Sequence, residues 1–355
     1  MGFFDRLAAR NISRGGRRNS LALERLEERI LLDGSFGPQQ VISTNADQPE
    51  SVYATDIDGD GRTDAVLASS ADDKISWYAN PGNADFGEEN VISTAADGAS
   101  EVHVADIDGD GDADVLSSSR NDDKIAWYEN QGAGNFGSQR VITTAADFAE
   151  SVYAQDLDGD GDADVLSASQ GDSKIAWYEN QGSGDFGPQQ VITTLAAGAE
   201  SVFATDLDGD RDADVLSASW GDDKIAWYEN QGEGTFGPQQ VITTHAGDAS
   251  SVYATDLDGD GDADVLSASD DDNKVAWYEN VAEGGFGPQQ VIATNAGGAE
   301  SVFATDLDGD GDADILSASA ADDKIAWHEN QGGGNFGPEQ VITTNAVSAR
   351  SVYSA

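Results

Sequence analysis

From Phe36 onward the chain repeats itself every fifty residues without insertion or deletion. Phe-Gly recurs at Phe36, Phe86, Phe136, Phe186, Phe236, Phe286 and Phe336. A strict period of this length means that one unit cannot bury its apolar face alone and leans on its neighbours, so the fold is an array. The third copy reads SVYAQDLDGDGDADVLSASQGDSKIAWYENQGSGDFGPQQVITT. Four stretches in it have strand character. Ser151–Ala154 alternates small and aromatic residues, Asp164–Ser169 and Lys174–Glu179 are rich in Val, Ile, Trp and Tyr, and Phe186–Thr194 ends in a β-branched run. Gly, Asp and Asn clusters separate them, and no stretch has a helical pattern of useful length.

Four short antiparallel strands per repeat of this length form the blade of a β-propeller. Stacking blades around an axis covers both faces of each sheet, which explains apolar residues on both sides of Ile175-Ala176-Trp177-Tyr178. The small residues of VLSAS suit strands crowded near the axis. A β-solenoid is the rival architecture, but its repeats are usually shorter and parallel. The expected fold class is therefore all-β: six complete repeats and a partial seventh. The remainder is one strand at the start, Phe36–Thr44, and one at the end, Ser351–Ala355. In a seven-bladed ring these two meet as the outer and inner strands of one blade lacking its middle pair. In a six-bladed ring they are spare. The chain stops where a further acidic loop is due, as a truncated product would.

Between the first and second strands of each blade lies the strongest chemical signal. In the third copy Asp156, Asp158, Asp160 and Asp164 stand at loop positions 1, 3, 5 and 9, with Gly161 at position 6. A tight loop brings side chains 1, 3 and 5 to one centre, glycine permits the sharp turn, and position 7 offers its carbonyl. All-oxygen ligation at this charge density favours Ca²⁺ over zinc, copper or magnesium. The bidentate glutamate of an EF-hand is missing, since Ser167 stands at position 12, so Asp164 and water would have to close the site. The same pattern gives Asp56, Asp58, Asp60 and Asp64, then Asp106, Asp108, Asp110 and Asp114. It recurs in Asp206, Asp208, Asp210 and Asp214, in Asp256, Asp258, Asp260 and Asp264, and in Asp306, Asp308, Asp310 and Asp314. A single Asp/Gly turn could merely solvate a hairpin. Six copies argue for up to six calcium ions, because carboxylates this close repel one another unless neutralised. Arg211 takes the glycine place in the fourth copy, where a left-handed backbone costs about 1 kcal/mol or more, and that site is expected to be the weakest.

Asp-x-Asp-Gly-Asp-Gly-x-x-Asp, the apolar strand after it, Trp-Tyr-Glu-Asn-x-Gly and Phe-Gly resemble the FG-GAP, or VCBS-type, repeats of bacterial surface proteins, certain lectins and integrin α-subunit heads. The resemblance covers residues 36–355. It implies a calcium-binding β-propeller, usually extracellular, used for adhesion or ligand recognition, and it leaves the ligand open.

Charge excludes some partners. The 355 residues carry a formal net charge of −49, which repels nucleic acid and anionic membranes. There is no cysteine, hence no disulfide, zinc–thiolate site or thiol nucleophile, and no uncharged run long enough for a membrane span. Residues 1–33 differ: seven arginines against five acids, a net of +2, against −51 for the rest. That boundary divides a basic N-terminal segment, 1–35, from the repeat domain, 36–355. Leu21, Leu23, Leu26, Ile30 and Leu31 fall at helical spacing among charged residues, unlike the hydrophobic core of a Sec signal. This predicts a short amphipathic helix or a disordered segment. Leu26-Glu27-Glu28-Arg29-Ile30-Leu31-Leu32-Asp33 resembles the LEPR-x-LL segment near the N-terminus of many large bacterial surface or exported proteins, with Glu28 in place of the proline. Export to the cell surface or medium without a Sec-type signal is what that resemblance implies.

The three histidines, His103, His245 and His328, do not recur and have no visible nucleophile or metal partner. The recurring lysines follow an acidic turn and read as surface ion pairs, and the recurring tryptophans as blade packing. Unique active sites need a unique constellation, so the repetition points to a non-enzymatic module recognising an extracellular glycan or protein. The alternative is a polysaccharide lyase or hydrolase on the same scaffold. Successive turns of an antiparallel blade alternate between faces, so the Asp loops share a face with the Asn-x-Gly loops. Copy-to-copy differences concentrate on the other face, at Arg120, Gln170 and Trp220 after the second strand and at Phe148 and His245 near the turn after the fourth. These five are the candidate ligand residues. Trp220, outside the repeat pattern, is an aromatic platform for a sugar or an apolar contact unless it simply lies flat on its blade.

Overall fold

The computed structural model describes residues 36–354 except 38, 83–85 and 283. Within the first 35 residues it describes only the backbone of Leu7–Arg10 and Ala22–Arg25, which pair antiparallel. The LEPR-like residues and most of the expected helix lie outside the described residues.

Six four-stranded antiparallel sheets follow in chain order, each with its strands in sequential order. In the third blade the strands are Ala149–Gln155, Asp164–Ser169, Lys174–Tyr178 and Gln190–Thr193, running from the axis outward. The first and last are displaced by a few residues from the sequence expectation. The outer strand begins late because Phe186 makes only an isolated bridge to Asn180 before the ladder resumes. All six residues of Asp164–Ser169 are buried, because blades cover the sheet on both sides. Between blades three and four, Leu166, Ile175 and Trp177 pack against Val202, Val215 and Tyr228, and four further interblade clusters repeat this set. Burying one such large side chain contributes roughly 1.5–3 kcal/mol, so the interblade seams dominate stability. Each seam also needs a glycine. Gly184 has φ 70 and lies against the indole of Trp127 in the preceding blade, so a Cβ there would run into the ring.

The lysines are not surface pairs. Lys74, Lys124, Lys174, Lys224, Lys274 and Lys324 have side chains only 7–17% exposed, each paired to the Asp two residues before it. Five of them also donate to a backbone carbonyl 29 residues earlier, for example Lys174 Nζ to Ala145 O at 2.9 Å, and so tie neighbouring blades. The strand's inward register explains it: the ammonium emerges where the seam opens.

Around the axis there are seven places. Tyr53, His103, Tyr153, Phe203, Tyr253, Phe303 and Tyr353 form a closed ring of side chains, with neighbouring centroids 4.4–5.1 Å apart. Six belong to the sheets, and the seventh comes from the C-terminal residues. At the rim Phe36 meets Trp327 edge-on at 6.2 Å, the relationship that Phe236 has to Trp177 at 6.4 Å. The blades therefore number six, and Phe36 and Tyr353 stand at the rim and axial positions of a seventh place that holds no sheet. Neither end is a strand, contrary to expectation. The reason is local: a middle pair would have to supply the ladder partners, and without it extended backbone has none.

Candidate metal centres and the opposite face

Each Asp loop folds by capping its own backbone. In the third blade Asp156 accepts from the amides of Gly159 and Gly161 at 2.8 and 3.1 Å, and Asp158 from that of Asp160 at 3.1 Å. Gly159 and Gly161 have φ 80 and 95, which turns the chain around these carboxylates. Asp164 is fully buried, and both its oxygens are engaged, Oδ2 by the Leu157 amide at 2.9 Å and Oδ1 by the Asn180 amide at 2.8 Å. It holds the loop shut as well as facing its centre.

Six groups of at least three carboxylates gather with oxygens within 4.8 Å of one another among the described residues. In the first three loops the groups are Asp56, Asp58 and Asp64, then Asp106, Asp108 and Asp114, then Asp156, Asp158 and Asp164. In the fourth and fifth they are Asp206, Asp208 and Asp210, then Asp256, Asp258 and Asp260. The donor set is all oxygen, which fits a hard cation such as Ca²⁺ and offers nothing to a soft one. Burial pushes the ninth-position carboxyls up, Asp114, Asp264 and Asp314 to about 6 and Asp164 and Asp214 to about 7, against the pull of the backbone amides. A bound cation would reverse that displacement. Arg211 keeps the loop geometry at φ 83, its amide donating to Asp206 at 3.0 Å as Gly161 does to Asp156.

The sequence reading missed the asparagine of Trp-Tyr-Glu-Asn. Asn180 is fully buried. Its Nδ2 donates to Ile107 O in the preceding blade's Asp loop at 2.8 Å and to Ala163 O at 3.1 Å, while its Oδ1 accepts from Gly182. Asn130, Asn230, Asn280 and Asn330 do the same to the loops before them, at Ile57, Leu157, Leu207 and Leu257. The recurrence of Asn was visible in sequence, but its partner lies 73 residues away.

On the other face, the turn after the second strand is hydrogen-bonded to the turn entering the first, as Trp220 N to Gly198 O and Gln170 N to Phe148 O. Both sets of turns surround the mouth of the axis. Arg120 reaches into that mouth, bonding Glu150 at 2.6 Å and facing Glu50 at 3.6 Å. Gln170 donates to Glu200 at 3.1 Å, and Trp220 lines a concavity beside it. Phe148 is 38% exposed and adjoins Gln170 through its carbonyl. His245 stands apart: it is exposed at the end of an outer strand, near Gly287 and Pro288, away from the axial mouth. His103 belongs to the axial ring, where burial pushes it down to about 4, and His328 is buried in the place of a tyrosine.

Fold and sites together define a β-propeller whose blades each carry an acidic loop able to hold a metal ion. The model of the FG-GAP-like repeat matches residues 56–117, 113–167, 156–217, 206–267, 256–317 and 306–355, and the chain belongs to this family. Among solved structures it resembles a lectin of Agrocybe aegerita that recognises non-reducing terminal N-acetylglucosamine, with 22% identity, TM-score 0.61, and coverage of 84% of this chain and 81% of that one. It also resembles virginiamycin B lyase from Staphylococcus aureus, with 13% identity, TM-score 0.61, and coverage of 88% and 91%. A protein from Lactobacillus plantarum aligns at 16% identity with TM-score 0.62, covering 85% and 86%. No curated protein sequence matches the chain. At these identities the structural likenesses concern the fold alone.

Proposed function

We propose that the chain is a calcium-stabilised extracellular binding module in which cations brace one face of the disc and the opposite face takes a glycan or protein ligand. The observation that carries this reading is the division of labour between the faces. Near-identical carboxylate loops occupy one face, while Arg120, Gln170 and Trp220, three residues that differ from copy to copy, gather around the axial mouth on the other. Binding residues on turns held by a rigid scaffold are the usual arrangement for recognition. The family supports the calcium assignment, and the lectin neighbour fits a recognition role.

A polysaccharide-degrading enzyme is the second reading, and a lyase shares the fold. It needs an acid–base pair or nucleophile that substrate can reach. The sixth blade has Ser317, His328 and Glu339 where the second to fifth have Ser, Tyr and Gln, but Ser317 and His328 are buried. A glycan-array screen beside a lyase assay, both in calcium, separates the readings: turnover without saturable binding overturns the module.

The basic segment 1–35 is assigned to export or sorting, on its opposite charge and its lack of the repeat. No described helix is long and apolar enough to cross a membrane. Deleting residues 1–33 should leave the melting temperature intact and reduce secretion. Loss of folding with unchanged export would reverse the assignment.

A further inference from the structure

Beside the axial mouth lies a cavity of about 300 Å³ that reaches from Gln170 in the third blade to Glu300 in the sixth and Arg350, walled on one side by Trp220. Trp220 opens the one 3-10 turn among the described residues, and its indole lies across Gly198, whose Cβ, if present, would stand 2.7 Å from Cδ1. Glycine also stands at the Gly198 position in Gly98 and Gly298, opposite Arg120 and Ala320, while Phe148 and Asp248 stand opposite Gln170 and Asp270, so the glycine leaves room for the indole without by itself selecting it. The indole is thus seated on its glycine and fixed in orientation, with 44% of the residue still exposed.

Apart from Gln170, Ser250 and Arg350, the rest of the wall is acidic. Glu200, Asp248, Asp270 and Glu300 face a single guanidinium, that of Arg350, which bonds Glu300 at 2.9 Å and reaches Glu50 at 3.7 Å. Asp248 and Asp270 have no cationic partner among the described residues. Burial, with the nearby charge of Glu150, pushes Glu200 up to about 8 against the pull of Gln170 and Arg120. A fixed aromatic face beside carboxylates selects an organic cation with an apolar side, since the ring quadrupole and the acids attract the same charge. A uronic acid would be repelled. A neutral sugar would bury carboxylates without compensation.

Resting on the proposal that this face binds ligand, we infer that the cavity takes one free-amine hexosamine residue of a glycan, its ring against Trp220 and its ammonium toward Asp248 and Asp270. The volume is at the lower end of small-ligand pockets and fits a single ring. A lysine of a protein partner would offer the same ammonium, but its alkyl stem covers less of the indole than a pyranose face does.

The test uses the full chain in calcium with a β-1,4-linked glucosamine trimer, its N-acetylated counterpart and a trilysine peptide. Titration calorimetry reports affinity. Acrylamide quenching reports location, because the other six tryptophans are at most 7% exposed. The glucosamine trimer should bind, protect Trp220 from quencher and weaken as salt rises, with the acetylated trimer and trilysine at least about tenfold weaker. Trp220→Ala and Asp270→Asn should each lose about tenfold or more in affinity while the calcium-loaded melting temperature stays put. Equal binding of the two trimers, no binding of the amine form, or equal or tighter binding of trilysine overturns the inference. A neutral glycan whose binding is lost in Trp220→Ala would sink the amine assignment and leave the face reading standing. Binding unaffected by Trp220→Ala, with protection on the Asp-loop side, would remove both.

Discussion

The amide of Val52 donates to Oγ of Ser351 across 3.4 Å and 299 residues of sequence. It closes a circle. Val102, Val202, Val252, Val302 and Val352 donate in the same way to Ser51, Ser151, Ser201, Ser251 and Ser301, and Val152 donates to Glu101 at 2.8 Å. The inner strand of each blade has a free edge toward the axis, and a side chain from the preceding place pairs the amide that would otherwise go unsatisfied. Tyr353, held between Tyr53 and Phe303 at 4.4 and 4.6 Å, completes the ring of side chains just below. Tyr353→Ala should therefore destabilise the whole disc by about 2 kcal/mol, less than a fully buried aromatic because this one is half-buried. Urea unfolding checks it. A loss confined to fraying of the last residues, with the midpoint unchanged, would show that the ring does not depend on its seventh member.

Calcium should be part of the fold. With each of six sites tenfold saturated, linkage supplies roughly 1.4 kcal/mol per site, on the order of 8 in total, and no disulfide provides an alternative brace. Melting with and without chelator at low ionic strength measures this. An unchanged midpoint would exclude a structural role for the cation.

Acidification should stabilise the cation-free protein. Eight carboxylates, Glu101, Glu150 and Glu200 among them, are pushed by burial to about 6–8 from ordinary values of 3.8 or 4.5. The folded chain then binds more protons than the unfolded one between roughly pH 4 and 8, so stability falls as pH rises through that window. His103 and His328, both lowered by burial, oppose this below 6.5, but they are two against eight. In chelator the melting point at pH 5.5 should exceed that at pH 8, and calcium should flatten the difference. A higher melting point at pH 8 in chelator would contradict it.

Arg211→Gly should tighten one site. The arginine holds φ 83 in a loop where the equivalent glycines have open space beside them, so the penalty is conformational, about 1 kcal/mol, with no clash to add. A titration should show one weak step disappearing. Unaltered stoichiometry and affinity would mean that the loop is already as good as its neighbours.

Asn180→Ala should cost about 2–3 kcal/mol, since it strands the carbonyls of Ile107 and Ala163 and the amide of Gly182. It should also weaken calcium binding in the loop of the preceding blade, 106–114, which Asn180 holds from outside. An effect limited to the loop at 156–164 would show that the staple works only within its own blade.

The sequence by itself determined the repeat, the strands and the acid loops. A fifty-residue period, short stretches rich in β-branched and aromatic residues and Asp-x-Asp-Gly turns are local properties, and Asp164–Ser169 appears in the structure with the ends that its composition assigns. Which face each turn occupies was also legible, because antiparallel strands alternate direction. Tertiary structure alone decided how the circle closes. Nothing local in Ser351 announces Val52, and Phe36 reads as the start of a strand until it is found against Trp327. The same holds for the lysines, which look like surface residues beside an acid and turn out to be buried staples between blades. It holds for Asn180, whose partner is in another repeat, and for Trp220, whose platform is a glycine 22 residues earlier. These contacts depend on the number of places around the axis and the spacing between blades, quantities set by how side chains fill the seams and not by any one repeat.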